Sequence, residues 1–375
     1  MQGLSPPIGL YVHVPFCVSK CAYCDFASCA GREADIPVYV EAVIREIARR
    51  GALAGHPAAD TIFFGGGTPS LLGEFHLTRI LHALFEAFTI VAGAEITCEC
   101  NPGTLDAPLA QALRTSGVNR LSIGAQAAEP HLLRLLGRIH DWRQVIASAK
   151  IAQQAGFDNF NLDLMFGLPS QTVADFRETL AAAIDLSPTH LACYGLIVEE
   201  GTPICRDVAA GRLTLPAEEA ERDMYELAQA LLAEHGYQQY EISSFARHGY
   251  ACRHNIGCWT RVPYLGFGPA AHSFFEGCRT MNPSQLDAYL AGEAPQSEPI
   301  SSEEARFESM MLGLRMTRGV SDDDFTRMHG LSIREAFGDK LAKPINAGLL
   351  EWCGGVLRLT RLGMDLQNSV LVDLM

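Results

Sequence analysis

The stretch "PFCVSKCAYCDF", Pro15 to Phe26, sets three cysteines on one short loop directly after the β-rich run "GLYVHV", Gly9–Val14. Cys17, Cys21 and Cys24 are spaced C-x3-C-x2-C. With 12 cysteines in 375 residues, roughly 0.01 such triplets are expected by chance. A structural zinc ion asks for a fourth close Cys or His, and only Cys29 or His13 stands near enough to be recruited. A redox pair has no use for a third thiol. Three thiolates on one tight loop suit a [4Fe–4S] cluster gripped at three corners. Such clusters normally take four thiolates, so one iron would stay open to an exchangeable ligand. Most remaining cysteines, such as Cys193, Cys278 and Cys353, are isolated and read as buried small hydrophobes.

Outward from this loop, β-rich runs recur at "TIFF" (Thr61–Phe64), "EITCE" (Glu95–Glu99), "RLSI" (Arg120–Ile123), "NFNLDLM" (Asn159–Met165) and "HLACYGL" (His190–Leu196). Helical spacing fills Val38–Arg50, Leu77–Phe88, Trp142–Ala155, Thr172–Ile184 and Ala217–His235. The alternation predicts an α/β fold of βα units on a parallel sheet. A partial barrel and an open doubly wound sheet both satisfy it. Polar or glycine-rich residues follow every strand: the cysteine loop, "GGGTPS" (Gly65–Ser70), Glu99 with "NPG", "GAQ", Asp163 with "GLP", and Tyr194. Sites in such folds collect at the strands' C-terminal ends, so one shared site is expected. "GGGTPS" lacks side chains at three positions, which lets backbone N–H groups approach a ligand or simply makes a tight turn. Glu99 could accept from ribose hydroxyls or cap a helix. Gln126, Arg138 and Asp163 are open to the same two kinds of reading.

The composition, 48% hydrophobic and 19% charged, is that of a globular protein. A net charge of −14 argues against a broad nucleic-acid footprint. No run is long and apolar enough for a spanning helix. "MQGLSPPIGLYVHVPFC" lacks a secretory signal, so a cytoplasmic location is expected, where disulfides are not the default use of cysteine. Near the C-terminus, "AGEAPQSEPISS" (Ala291–Ser302) reads as a linker. Beyond it come helical patterns at Glu303–Met316, Asp322–Met328 and Ile333–Ala347, then "LLEWCGGVLRLT", a hairpin turning at Gly354–Gly355. These describe a small, mostly helical, winged-helix-like domain. Its nine Lys/Arg against eleven Asp/Glu over 301–375 favour packing or docking over DNA binding. The expected organisation is a core at 1–235, a ligand-site segment with linker at 236–300, and a C-terminal domain at 301–375.

C-x3-C-x2-C with an aromatic, Tyr23, before the last cysteine resembles the signature of the radical S-adenosylmethionine (SAM) superfamily. "LYVHVPFCVSKCAYCDF", "IFFGGGTPS", "CNPG", "GVNRLSIGAQ", "LGRIH", "NLDLMFGLP" and "HNIGCW" are together similar to its branch containing oxygen-independent coproporphyrinogen III oxidase and the HemW haem chaperones. The matches run from Leu10 to about His272, and the tail resembles the branch's HemN-type C-terminal domain. The resemblance implies a partial (βα)6 barrel and a [4Fe–4S] cluster on Cys17, Cys21 and Cys24. It also implies a first SAM site with Tyr11, Gly66 and Glu99, beside a cofactor-site Tyr23. Residues matching the oxidase's second SAM site are Gly67, Thr68, Gln126, Arg138 and Asp163.

Within the branch, the oxidase pattern carries a further cysteine two positions after the last ligand. Phe26 stands there, as in the HemW-like group, and Cys29 does not match it. "CRHNIGCW" (Cys252–Trp259) resembles the HemW motif H-N-x-x-Y-W linked to haem, with Cys258 where tyrosine is usual. The implied function is a haem chaperone that binds cluster, SAM and haem. His254 would ligate haem, with Cys252 or Cys258 as a further ligand, and the haem would pass to an acceptor protein, membrane-associated or not. The alternative is the oxidase reaction of porphyrin biosynthesis, radical decarboxylation of porphyrinogen propionates. A third reading is an enzyme that degrades or methylates haem. His254 could instead be a structural histidine, and "YLGFGPAAHSF" (Tyr264–Phe275) either an apolar haem slot or close strand packing.

Overall fold

A computed structural model of the protein describes residues 6–375; residues 1–5, the start of the segment read above for a secretory signal, lie outside it. Six strands, β1 (Ile8–Val14), β2 (Ala58–Gly66), β3 (Thr89–Cys100), β4 (Arg120–Gln126), β5 (Phe160–Phe166) and β6 (His190–Gly195), pair in parallel and in sequence order. Sequential order has no point of reversal, which decides for a partial barrel over a doubly wound sheet. Among the described residues no helix is long and apolar enough to cross a membrane.

The strand period of two divides the barrel residues cleanly. Leu10, Val12 and Val14, Ile62 and Phe64, Leu121 and Ile123, and Leu162 and Leu164 join one apolar core. That core includes the inner faces of the helices Ile36–Leu53, Gly73–Ala87, Trp142–Gln154, Val173–Asp185 and Glu218–Glu234. The alternate residues Thr61, Glu95, Thr97, Arg120, Ser122, Asn161 and His190 are buried and polar. Three of them form a chain: His190 Nδ1 and Asn161 Oδ1 are 2.6 Å apart, and Asn161 Nδ2 donates to Ser122 Oγ at 2.7 Å, whereas Thr97 Oγ1 and Arg120 Nε are buried without a partner.

Two segments differ from expectation. The stretch read as a linker contains a strand, Gln296–Pro299, antiparallel to Cys278–Met281; that strand continues through His272–Phe275 to Tyr264–Phe267, which pairs in parallel with β1. All four residues of Gln296–Pro299 are exposed, so no hydrophobic alternation marked it. The helix expected over Ile333–Ala347 is broken into short pieces at Gly338, whose φ of +44° no helix accommodates. The hairpin is present as Leu350–Cys353 against Val356–Leu359. Its turn glycines, at φ +55° and +82°, both take the left-handed conformation that a tight hairpin turn requires.

Residues beyond Ser302 carry their own core, built on Met310, Leu314, Phe325, Ile333 and Leu357. They dock on the barrel through Glu308, which pairs with Arg261 at 3.1 Å and Arg279 at 2.8 Å, and through Arg315, which pairs with Glu241.

The sheet extension is tied to the first helix by the buried carboxylate of Glu46. It accepts from Gly268 N–H (3.0 Å), Asn282 Nδ2 (2.8 Å) and Tyr289 Oη (2.8 Å). Glu46→Ala leaves these donors facing an empty space and is expected to cost about 3 kcal/mol in urea unfolding. Glu46→Gln, which keeps one acceptor oxygen, should cost less than half of that.

Candidate functional site

At the C-terminal ends of the strands lies a cavity of about 460 Å³. Cys17, Cys21, Tyr23 and Cys24 line it from the loop after β1, Gly66, Gly67 and Thr68 from β2, and Glu99 from β3. Gln126, Arg138 and Asp163 complete it. Eleven of the thirteen residues singled out in the sequence thus meet in one place, including members of both expected SAM sites. Tyr11 and His254 do not line it. Tyr11 is three residues before the end of β1, about 10 Å below the rim at ~3.3 Å per residue. Its hydroxyl donates to His13 Nδ1 at 3.0 Å inside the barrel.

The cysteine loop has almost no secondary structure of its own and is held by its neighbours. His13 Nε2 donates to Ala27 O at 2.8 Å. Gly67 N–H donates to Val14 O (2.7 Å), Thr68 N–H to Phe16 O (2.8 Å) and Ala22 N–H to Leu136 O (2.9 Å). Within "GGGTPS" the Gly67 and Thr68 N–H groups are thus spent on holding the loop and Gly66 N–H on Glu99, which favours the tight-turn reading of this segment. Glycine is nonetheless required: a Cβ on Gly66 would lie 2.6 Å from the His13 ring, and one on Gly67 2.6 Å from Phe16 O. Both His13 nitrogens are engaged, and the Cys29 thiol turns to Pro15 O, so neither joins the three cysteines.

The donor set separates two kinds of metal centre. Among the described residues, no three His, Cys, Asp or Glu side chains converge closely enough to bind a single ion, as zinc would need. A cubane places each thiolate on a different iron, so its cysteines line a wider basin, as these do. The three thiols are unpaired and half-buried, and Arg138 Nη1 donates to Cys21 Sγ at 3.5 Å. Arg138 Nε is buried with no hydrogen-bond partner; an anionic ligand group would satisfy it. The residues fit a cluster and a zwitterionic, cationic-sulfur ligand.

Two half-buried carboxyls share the cavity with Arg138. Burial, then the neighbouring Asp163, push Glu99 up to about 8, although Gly66 N–H donates to it at 3.2 Å. Burial also raises Asp163, against hydrogen bonds from Asn161 and Ser122. Sequence reading missed Asn101, which bridges Thr68 Oγ1 (2.8 Å) and Arg138 Nη2 (3.0 Å), and gave no role to Tyr194, whose hydroxyl donates to Gln126 Oε1 at 2.9 Å. Asn101 stands just past the end of β3, two residues after Glu99 in "CECNPG", which was the available signal. Gln126 holds φ +67°, a strained conformation for a non-glycine residue at a strand end.

His254 lies at the other end of the barrel. A second cavity, about 510 Å³, is bounded by Gly9 near the start of β1, by Asp60 and Thr61 of β2, and by Tyr264. His254, Ile256, Cys258, Val262 and Pro263 line it. His254 Nδ1 and Thr61 Oγ1 are 2.9 Å apart, and its ring stacks on Phe63 with centroids 5.1 Å apart. An Nδ1–H given to Thr61 leaves Nε2 with a free lone pair that could ligate a metal. Burial, then Arg120, lower its pKa to about 4, so the ring stays neutral. Glu95, a residue the sequence did not single out, accepts from the backbone N–H of Arg253 and of His254, both at 3.0 Å, and from the Cys252 thiol at 3.5 Å. Cys252 is therefore turned into the barrel floor, whereas Cys258 shares the cavity with His254. Of "YLGFGPAAHSF" only Tyr264 reaches this cavity; Leu265 and Phe267 are core residues, so close packing is its main role.

Glu99 carries a pH signature. Its folded pKa of about 8 exceeds the ordinary 4.5, so the folded chain holds an extra proton between those values and loses stability as pH rises through that window. Glu99→Gln removes the effect. In thermal melts of the ligand-free protein, the variant's advantage over the parent should grow by a few degrees from about pH 5 to about pH 9. An advantage that shrinks with pH contradicts the assignment.

Comparison with known proteins gives the family. The Radical SAM superfamily model matches residues 11–183, and the HemN C-terminal domain model matches 300–366. The "Heme chaperone HemW" of Bacillus subtilis (strain 168) is 36% identical over 367 residues, covering 96% of this chain and 97% of its own length. That of Escherichia coli (strain K12) is 35% identical over 374 residues, covering 98% and 97%. Among solved structures, coproporphyrinogen III oxidase (HemN) from Escherichia coli, a radical SAM enzyme, superposes with a TM-score of 0.85 at 25% identity, covering 98% of this chain and 90% of that one. With full-length relatives at this identity and a cysteine loop set at the mouth of a partial barrel, the chain belongs to the HemW family of radical SAM proteins.

Proposed function

We propose that this protein is a cytoplasmic haem chaperone: it holds haem at His254 and passes it to an acceptor protein. At the far end of the barrel, Cys17, Cys21 and Cys24 would hold a [4Fe–4S] cluster. Glu99, Asp163 and Arg138 would receive SAM there. When bound, this pair supplies one-electron chemistry or a ligand-sensing element. The chain's own part is to fix the loop, to offer Arg138 to a carboxylate, and to offer Glu99 and Asp163 to hydroxyl or cationic groups.

One observation carries the reading. The His254 cavity opens at the beginnings of β1 and β2, and the cysteine cavity at the strand ends. From Thr61 to Gly67 the strand spans about 20 Å at ~3.3 Å per residue. Phe63, Thr97 and Arg120 fill the interior between. A porphyrin held at His254 is thus walled off from chemistry at the cysteines, which suits storage and transfer rather than turnover. Phe26 favours the same reading: it sits 67% exposed at the mouth of the cysteine cavity, where the oxidase pattern would set a thiol. Because the chain's net charge of −14 would repel anionic lipid, a membrane-associated acceptor would be reached through protein contacts.

Oxygen-free reconstitution of the parent should yield iron and sulfide, and serine at Cys17, Cys21 or Cys24 should lose both. Haem titration followed in the Soret band should show binding that His254→Ala weakens about tenfold or more, with iron and sulfide unchanged. Coproporphyrinogen III incubated with the reconstituted protein, SAM and a reductant should be recovered intact; its conversion to protoporphyrinogen IX would overturn the chaperone reading.

A further inference from the structure

The His254 cavity abuts another, of about 570 Å³, that lies against the C-terminal domain and carries Arg318. Thr260 and Met328 line both. Met328 therefore stands between them, on the helix Asp322–His329 of the C-terminal domain. It is 53% exposed, unusual for a thioether with an apolar core within reach, and its Sδ accepts from Ser309 Oγ at 3.7 Å.

His254 and Cys258 are four residues apart on one short helix. Side chains at that spacing share a helix face, so both would approach a bound haem from the same side. Axial ligands meet the iron from opposite sides, which rules out His254 and Cys258 as a trans pair. The C-terminal domain contributes one residue to the lining of this cavity, Met328, a soft donor that does not belong to the His254 helix. We propose that Met328 is the second axial ligand, so that haem is clasped between the barrel and the C-terminal domain. The inference rests on the His254 reading above.

The step is a dative bond: a sulfur lone pair fills the iron's sixth position, no bond breaks, and no proton or electron moves. Histidine–methionine ligation is established chemistry for haem iron. A neutral thioether is also the weaker of the two ligands, which suits a cargo that must leave. Arg318 in the adjoining cavity has the charge that haem propionates require.

The test is optical and redox titration of the full-length protein with hemin. The parent should give a low-spin ferric spectrum with the weak near-infrared band of an iron–thioether bond. Met328→Leu keeps the volume and removes the donor. It should lose that band, become high-spin, show a lower reduction potential and bind haem on the order of tenfold more weakly. Met328→His should restore the low-spin state without the thioether band. A Met328→Leu protein matching the parent in spectrum and potential, while His254→Ala still loses haem, overturns Met328 as ligand and leaves His254 standing. If His254→Ala binds haem like the parent, the underlying reading fails and this one with it.

Discussion

Parallel strands share one direction, and that constraint orders the whole molecule. It sends the six loops that follow β1–β6 to one rim, where short loops with little secondary structure can bring thiols, a guanidinium and two carboxyls together. It also forces the inner strand face to be filled from rim to floor. Here the filling is polar, from Asp163 through Ser122 and Asn161 to His190, each hydrogen-bonded to the next. Buried polar side chains of this kind are tolerable only when mutually satisfied. Arg120 Nε and Thr97 Oγ1 are exceptions, buried in this interior without a partner.

The position of His254 follows from a single departure from that shared direction. Ser244–Ala246 adds to β6 antiparallel, so the chain runs back toward the floor. It delivers the helix Arg253–Trp259 beneath the barrel instead of above it. Glu95 then fixes the helix start by accepting two of its N–H groups, which would otherwise be orphaned in a buried place. Had Ser244–Ala246 been parallel, His254 would have been carried to the cysteine rim.

Much of this was legible in the sequence, and the limits have physical causes. The cysteine loop, Glu99, Arg138 and Asp163 are marked by residue type at strand ends, and strand ends can be read from hydrophobic runs. The six strands appear where they were expected because their outer faces are apolar. Gln296–Pro299 escaped notice because every side chain in it faces water. Glu95 and Arg120 resemble ordinary surface charges in one dimension; only the register of β3 with β4 turns them inward. Tyr11 belongs to a motif whose other members reach the cavity, yet its height on β1 keeps it below. No spacing rule reveals which end of a barrel a returning helix will meet.

The central claim is that the haem site and the cysteine site occupy opposite ends of one filled barrel. A pulsed electron–electron resonance measurement of the separation between ferric haem and reduced cluster, in protein reconstituted with both, tests it most directly. The account predicts weak dipolar coupling at about 20 Å or more, the span of β2 between the two cavities. Strong coupling at under about 10 Å, the rise of three strand residues, would contradict it.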